Sequence, residues 1–135
     1  GMEYFNSFGG NPVSCAVGRA VVGVIQEEKL QKRALDVGDH LSTLLMKLKE
    51  KHSLIGDVRG RGLFLGVELN RDLGTLEPAG EEADRVINDM KEKSILLSTD
   101  GPDHNVIKIK PPLVFNKENA HFLAETLDHI LTRIT

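Results

Sequence analysis

The sequence predicts an α+β fold, a small and mainly antiparallel sheet covered by helices. Three observations carry this reading. Apolar residues recur at three- and four-residue steps in separate stretches near both ends and in the middle. Between those stretches, around residues 55–69 and 106–109, the apolar spacing shortens to that of strands. The resulting order is two helices, a strand pair, a helix, two strands and a helix, and helices laid on one face of the sheet bury the apolar sides of both.

Taken in order, Asn11-Pro12 is a strong helix start. Asn caps the free amides of the first turn, and proline at the next position has no donor to leave unsatisfied. Val13, Ala16, Val17, Ala20, Val21, Val24 and Ile25 then form one apolar face of small and β-branched residues, open to close approach by a neighbour. The polar run from Gln26 to Lys29 interrupts it. A second helix carries Leu30, Ala34, Val37, Leu41, Leu44, Leu45 and Leu48 on one stripe, with Lys47, Lys49 and Lys51 near its end, where positive charge suits the helix dipole. From Ile55 to Leu69 the expectation is two strands, or one kinked strand, whose glycines allow a bulge or a close backbone approach. Residues 70–80 read as a polar loop. Ala83, Val86, Ile87 and Met90 mark a third helix, Ile95 to Ser98 a short strand, and Thr99-Asp100-Gly101-Pro102 a turn. Val106, Ile107 and Ile109 form a strand ended by Pro111-Pro112. Asn116 caps a last helix with Ala120, Leu123, Leu127, Ile130 and Leu131 on its apolar face.

Composition excludes several classes of function. The chain has 135 residues, 40% hydrophobic and 27% charged, with a formal net charge of -3. That is a globular mix. Its mildly acidic balance argues against nucleic-acid phosphate as the main partner. No apolar run approaches the roughly 20 residues that span a bilayer, and no secretory signal opens the chain. Cys15 is the only cysteine, so neither an internal disulfide nor a cysteine-based zinc cluster can form; a reducing, cytoplasmic setting is the expectation. Gly1 before Met2 looks like a cloning scar. The stretch from Glu3 to Gly10, rich in aromatics and glycine, reads as a loop that packs against something earlier in a longer chain.

Four groups of residues hold candidate chemistry. Ser7-Phe8-Gly9-Gly10-Asn11-Pro12 places a hydroxyl and two glycines before a capped helix, an arrangement that favours an anion; the plainer reading is a flexible entry loop with Ser7 solvated. Arg59 and Arg61, set among Gly60 and Gly62, either clamp a carboxylate or phosphate or form structural ion pairs at a strand edge. Lys108 and Lys110 share one strand face, where they meet an anionic substrate or simply face solvent. His40, His52, His104, His121 and His129 fall on different elements, so no metal set is expected and the histidines read as solvated or partly packed. Cys15, with no histidine near it in sequence, reads as a small packed core residue.

Together these segments resemble class III pyridoxal-phosphate-dependent aminotransferases of fold type I. Ser7-Phe8-Gly9-Gly10-Asn11-Pro12 looks like that family's Thr-Phe-x-Gly-Asn-Pro loop, the run from Asp57 to Gly66 looks like its Val-Arg-Gly-x-Gly-Leu-x-x-Gly strand signature, and Ile107 to Val114 looks like its Arg-x-x-Pro-Pro-Leu strand. The segments from Tyr4 to Gly18 and from Leu96 to Pro102 are most similar to the branch of ethanolamine-phosphate and phosphohydroxylysine phospho-lyases. The resemblance covers essentially the whole chain, but only the C-terminal third of a family member.

The resemblance implies a small C-terminal domain at residues 52–135, connecting helices at 12–51, and at 1–11 a phosphate-loop segment belonging to the large domain. It implies that Ser7, where the family usually has Thr, touches the cofactor phosphate of the neighbouring subunit. Arg59 and Lys108 fall on the substrate side. Lys108 stands where many members carry an Arg that grips an α-carboxylate; lysine lacks that planar grip, which suits the phospho-lyase branch better than an ordinary transaminase. The Schiff-base lysine and the acid facing the pyridine nitrogen lie upstream of the glycine loop in the family, so no catalytic residue is assigned here. The expected function is therefore a C-terminal part of a class III enzyme, working by amino-group transfer or by elimination from a phosphorylated amine, inactive alone and binding no pyridoxal phosphate by itself. Its expected partners are a second copy or the N-terminal domain, and a small amine substrate. The alternative is a non-catalytic assembly module that dimerises through the Val/Ala face of the first helix, or an inactive remnant.

Overall fold

The computed structural model describes residues 3–134. Among them the elements run α1 (Pro12–Glu27), α2 (Leu30–Lys51), β1 (Ile55–Arg61), β2 (Phe64–Asp72), β3 (Glu77–Pro78), α3 (Gly80–Glu92), β4 (Ser98–Asp100), β5 (Val106–Ile109) and α4 (Lys117–Ile134). They fall into two compact units, one running through Lys32 and the other beginning at Arg33.

In the first unit the entry loop leads into α1. The Ser14 amide donates to Asn11 Oδ1 at 2.9 Å, and Pro12 opens the helix. No residue of α1 is buried, and Val13 and Val17 remain 74% and 59% exposed. Cys15 is exposed as well, contrary to the packed position expected from its sequence context. A period of 3.6 residues sets which side chains share a face; it does not supply the surface that covers them.

In the second unit the sheet order is β1-β2-β5-β4, every pair antiparallel, with β3 paired to the far end of β2. Alternation in β2 and β5 turns Leu65, Val67, Leu69, Ile107 and Ile109 inward. There they join Leu41, Leu45 and Leu48 of α2, Ala83, Val86 and Met90 of α3, and Leu123, Leu127, Ile130 and Leu131 of α4 in one apolar cluster. Most of α2 thus belongs to the same core as the sheet. Side chains on the opposite sheet face are left outside this cluster, and the candidates Arg59 and Lys108 lie among them.

Close approach fixes where α2 meets the β1–β2 turn. A Cβ built on Gly38 would stand 2.1 Å from the carbonyl oxygen of Gly62. Three groups of polar contacts then lock the ends of elements. His52 Nε2 meets Asp128 Oδ1 at 2.5 Å and Lys51 Nζ meets Asp128 Oδ2 at 2.7 Å, tying α2 to α4. Arg71 donates to Glu77, Glu81 and Glu82. Asn116 and Asn119 exchange amide-to-side-chain bonds at the start of α4, as expected of a cap.

Three expectations shift. Residues 70–80 are not all loop: β2 continues to Asp72, and Glu77–Pro78 pairs back on it. The connection shrinks because Asp72 Oδ1 accepts from the amides of Gly74 and Thr75 and from the Thr75 hydroxyl, which turns the chain back at once. The short strand lies at Ser98–Asp100 rather than Ile95–Ser98. The close of α3 puts Ser94 at φ 64 and sends the Ile95 amide to the Met90 carbonyl, so the chain leaves the helix out of sheet register and pairs only from Ser98, opposite Lys108. Thr99 and Asp100 consequently belong to that strand, and the turn follows them.

Candidate functional site

The entry loop is folded on its own backbone. The Gly9 amide donates to the Asn6 carbonyl and the Phe8 amide to Asn6 Oδ1, each at 3.1 Å, and Gly10 takes φ 72, the left-handed region that glycine enters without strain. Ser7 is exposed at this turn, and its hydroxyl has no hydrogen-bond partner among the described residues. A free hydroxyl therefore stands just before a capped helix start, where backbone amides give a partial positive charge.

The second unit brings Arg59 and Lys108 onto one row of the outer sheet face. Arg59 pairs with Gly66 across β1–β2, Gly66 with Lys108 across β2–β5, and Lys108 with Ser98 across β5–β4. Strands lie about 4.8 Å apart, so roughly 10 Å separates the two cationic positions, with no side chain at Gly66 between them. An open pocket of about 380 Å³ has Arg59, Phe64, Gly66, Asp100, Val106 and Lys108 in its lining.

Both cations are already partnered. Arg59 Nη1 lies 2.6 Å from Glu68 Oε2 and 3.0 Å from Asp57 Oδ2. These bonds, that to Glu68 foremost, raise the guanidinium pKa further above its ordinary value. Lys108 Nζ lies 2.9 Å from Asp100 Oδ2, and this bond, followed by one from the Gly101 amide, holds the Asp100 carboxyl below the usual range. An incoming anion displaces one exposed carboxylate at Lys108 but competes with two at Arg59. Arg61 and Lys110 flank the row, the latter 5.9 Å above the Phe64 ring.

The acidic partners Asp57, Glu68 and Asp100 were not singled out in the sequence. Alternation of charge with apolar residues puts each on the outer face; Asp57 meets Arg59 along their own strand, and only the strand register shows that Glu68 meets Arg59 and Asp100 meets Lys108. Ser7 belongs to the first unit, and Arg59 and Lys108 to the second.

Class III aminotransferases are matched by this chain over residues 2–131, and the chain belongs to that family. Among curated relatives it is 52% identical over 121 residues to alanine–glyoxylate aminotransferase 2-like from Drosophila melanogaster, covering 89% of this chain and 24% of that protein. It is 43% identical over 130 residues to ethanolamine-phosphate phospho-lyase homolog 1 from Caenorhabditis elegans, covering 96% of this chain and 28% of that protein. Among solved structures, a phospholyase from Arthrobacter in complex with phosphoethanolamine superposes with a TM-score of 0.90 at 39% identity, over 96% of this chain and 31% of that one. The α+β fold expected from the sequence is the fold of that family's members. The chain spans about a quarter to a third of the length of the relatives it matches.

Proposed function

We propose that this chain supplies the substrate-side lobe and one edge of the cofactor phosphate pocket of a class III enzyme acting on a small phosphorylated amine. What carries the reading is the likeness, over nearly the whole chain, to a phospholyase whose structure holds phosphoethanolamine. Lys108, in place of a two-pronged arginine, supports a phosphate or other compact anion over an α-carboxylate. In this reading Lys108 exchanges Asp100 for the substrate's anionic group, Arg59 stays paired and positions the strand edge, and the free Ser7 hydroxyl donates to the cofactor phosphate of a neighbouring subunit. The family's cofactor is pyridoxal phosphate, which supplies an electron sink at the amine-bearing carbon when bound. The residues here fit its phosphate edge; the lysine that anchors it and the acid facing its ring nitrogen come from the part of the enzyme beyond the matched segment. Elimination from a phosphorylated amine is favoured over amino-group transfer on the same Lys108 argument. In this reading the setting is the reducing, cytoplasmic one expected from the single cysteine; among the described residues no helix is long and apolar enough to cross a membrane.

Kinetics of an enzyme carrying this segment test the proposal. With Lys108→Ala, the KM for phosphoethanolamine rises about tenfold or more, the worth of one charge-assisted bond, and little change is seen toward an uncharged amine. Equal losses on both substrates refute the assignment. Borohydride treatment of the 135-residue chain with pyridoxal phosphate leaves no single modified lysine on peptide mapping; stoichiometric labelling of one lysine refutes the dependence on another segment.

A second reading has its own observation: the valine face of α1 lacks any buried residue. A non-catalytic module self-associating through that face gives a dimer by light scattering that Val17→Lys abolishes.

A further inference from the structure

Two residues far apart in sequence meet where α2 faces α4. His40 Nε2 lies 3.0 Å from His121 Nε2, the ring centroids are 4.8 Å apart, and the ring planes meet at 61°. A hydrogen bond satisfies this contact when one ring donates and the other accepts. The same geometry is close to that of a shared cation. With metal–nitrogen bonds of about 2.0–2.1 Å in tetrahedral coordination, two ligating nitrogens stand roughly 3.3 Å apart, so an opening of about 0.3 Å converts one arrangement to the other.

We propose that His40 and His121 form a two-imidazole site for a divalent transition cation, Zn²⁺ or Cu²⁺ in chemical class, which clips α2 to α4. Imidazole nitrogen selects such ions over Mg²⁺ and Ca²⁺. Neither Nδ1 has a hydrogen-bond partner among the described residues, so both rings are free to carry their proton there and direct the Nε2 lone pairs at one point. His121 is exposed and His40 half-buried, so the ion enters without opening the core. Partial burial, then the charges of His121, Lys117 and Lys47, lowers the His40 pKa. Lys117 and Lys47 also oppose the cation. No group of three or more His, Cys, Asp or Glu converges among the described residues, so water completes the coordination. His52, the other histidine between these helices, is buried against Asp128 and takes no part.

Calorimetric titration with Zn²⁺, in a Cys15→Ser background that removes the exposed thiol, tests the site. One ion binds per chain. His40→Ala and His121→Ala each weaken binding about tenfold or more, and the double variant loses little beyond either single one. Unchanged affinity in both single variants overturns the proposal. Where an alanine variant fails to fold, the unsubstituted chain still decides: Zn²⁺ shifts the ¹⁵N resonances of both Nε2 atoms together. Movement of only one, of neither, or of His104 or His129 instead overturns the site.

Discussion

Replacing Gly38 by alanine tests the packing that fixes α2 against the sheet. In an isolated helix the change is favourable by about 1 kcal/mol, since glycine is the poorer helix former. Here the new Cβ would stand 2.1 Å from the Gly62 carbonyl oxygen, 2.3 Å from its carbonyl carbon and 2.6 Å from its Cα. All three are backbone atoms of a tight turn that cannot swing aside as a flexible side chain would. Ordinary contact begins at 3.4 Å, so the helix or the turn must retreat by about 1.3 Å from the 2.1 Å separation. Overpacking of this kind costs about 1–3 kcal/mol; at the upper end, less the helix gain, the net loss is about 2 kcal/mol. With an unfolding entropy of about 2.1 cal/mol/K per residue, that lowers Tm by roughly 7 °C. Thermal unfolding followed by far-UV circular dichroism measures it. Gly23→Ala is the control, because a Cβ there meets nothing within 4 Å; it raises helicity and leaves Tm no lower. A Gly38→Ala chain as stable as the parent refutes the close approach and the placing of α2 that follows from it.

Asp128→Asn removes an acid-sensitive lock. The folded carboxyl is held below its ordinary value of 3.8, first by Lys51 and then by His52. A depressed folded pKa stabilises fully above the unfolded value and is lost as pH falls through the folded one, so the parent weakens below about pH 4. The variant is less stable at neutral pH by about 1 kcal/mol and shows a flatter acid limb; urea midpoints at pH 7 and pH 3 measure both, and parallel curves contradict the lock. Asn11→Ala removes the acceptor of the Ser14 amide and costs about 1 kcal/mol of local helix stability; faster hydrogen exchange confined to the first turn of α1 is the expected result, and unchanged exchange contradicts it.

How much was legible follows from the range over which each signal acts. Asn11, Pro12 and Asn116 mark helix starts because capping is a contact within three or four residues. The stripes on α2, α3 and α4 are readable because one helix turn sets them, and those leucines and isoleucines are the core that is found. Strand ends were read less well at residues 70–80 and 95–100, because a strand ends where its partner's register ends, and the partner lies elsewhere in the chain. The candidate cations Arg59 and Lys108 stood out by chemistry; their engagement by Glu68, Asp57 and Asp100 did not.

The residues alone therefore determined the fold class, the family and which side chains carry charge or a free hydroxyl, since all of these reside in local pattern and motif. The tertiary structure decided which groups meet: Arg59 with Glu68, Asp128 with His52, His40 with His121. Contacts between elements depend on helix spacing and strand register, set by packing of the whole core, and no window of neighbouring residues contains that information.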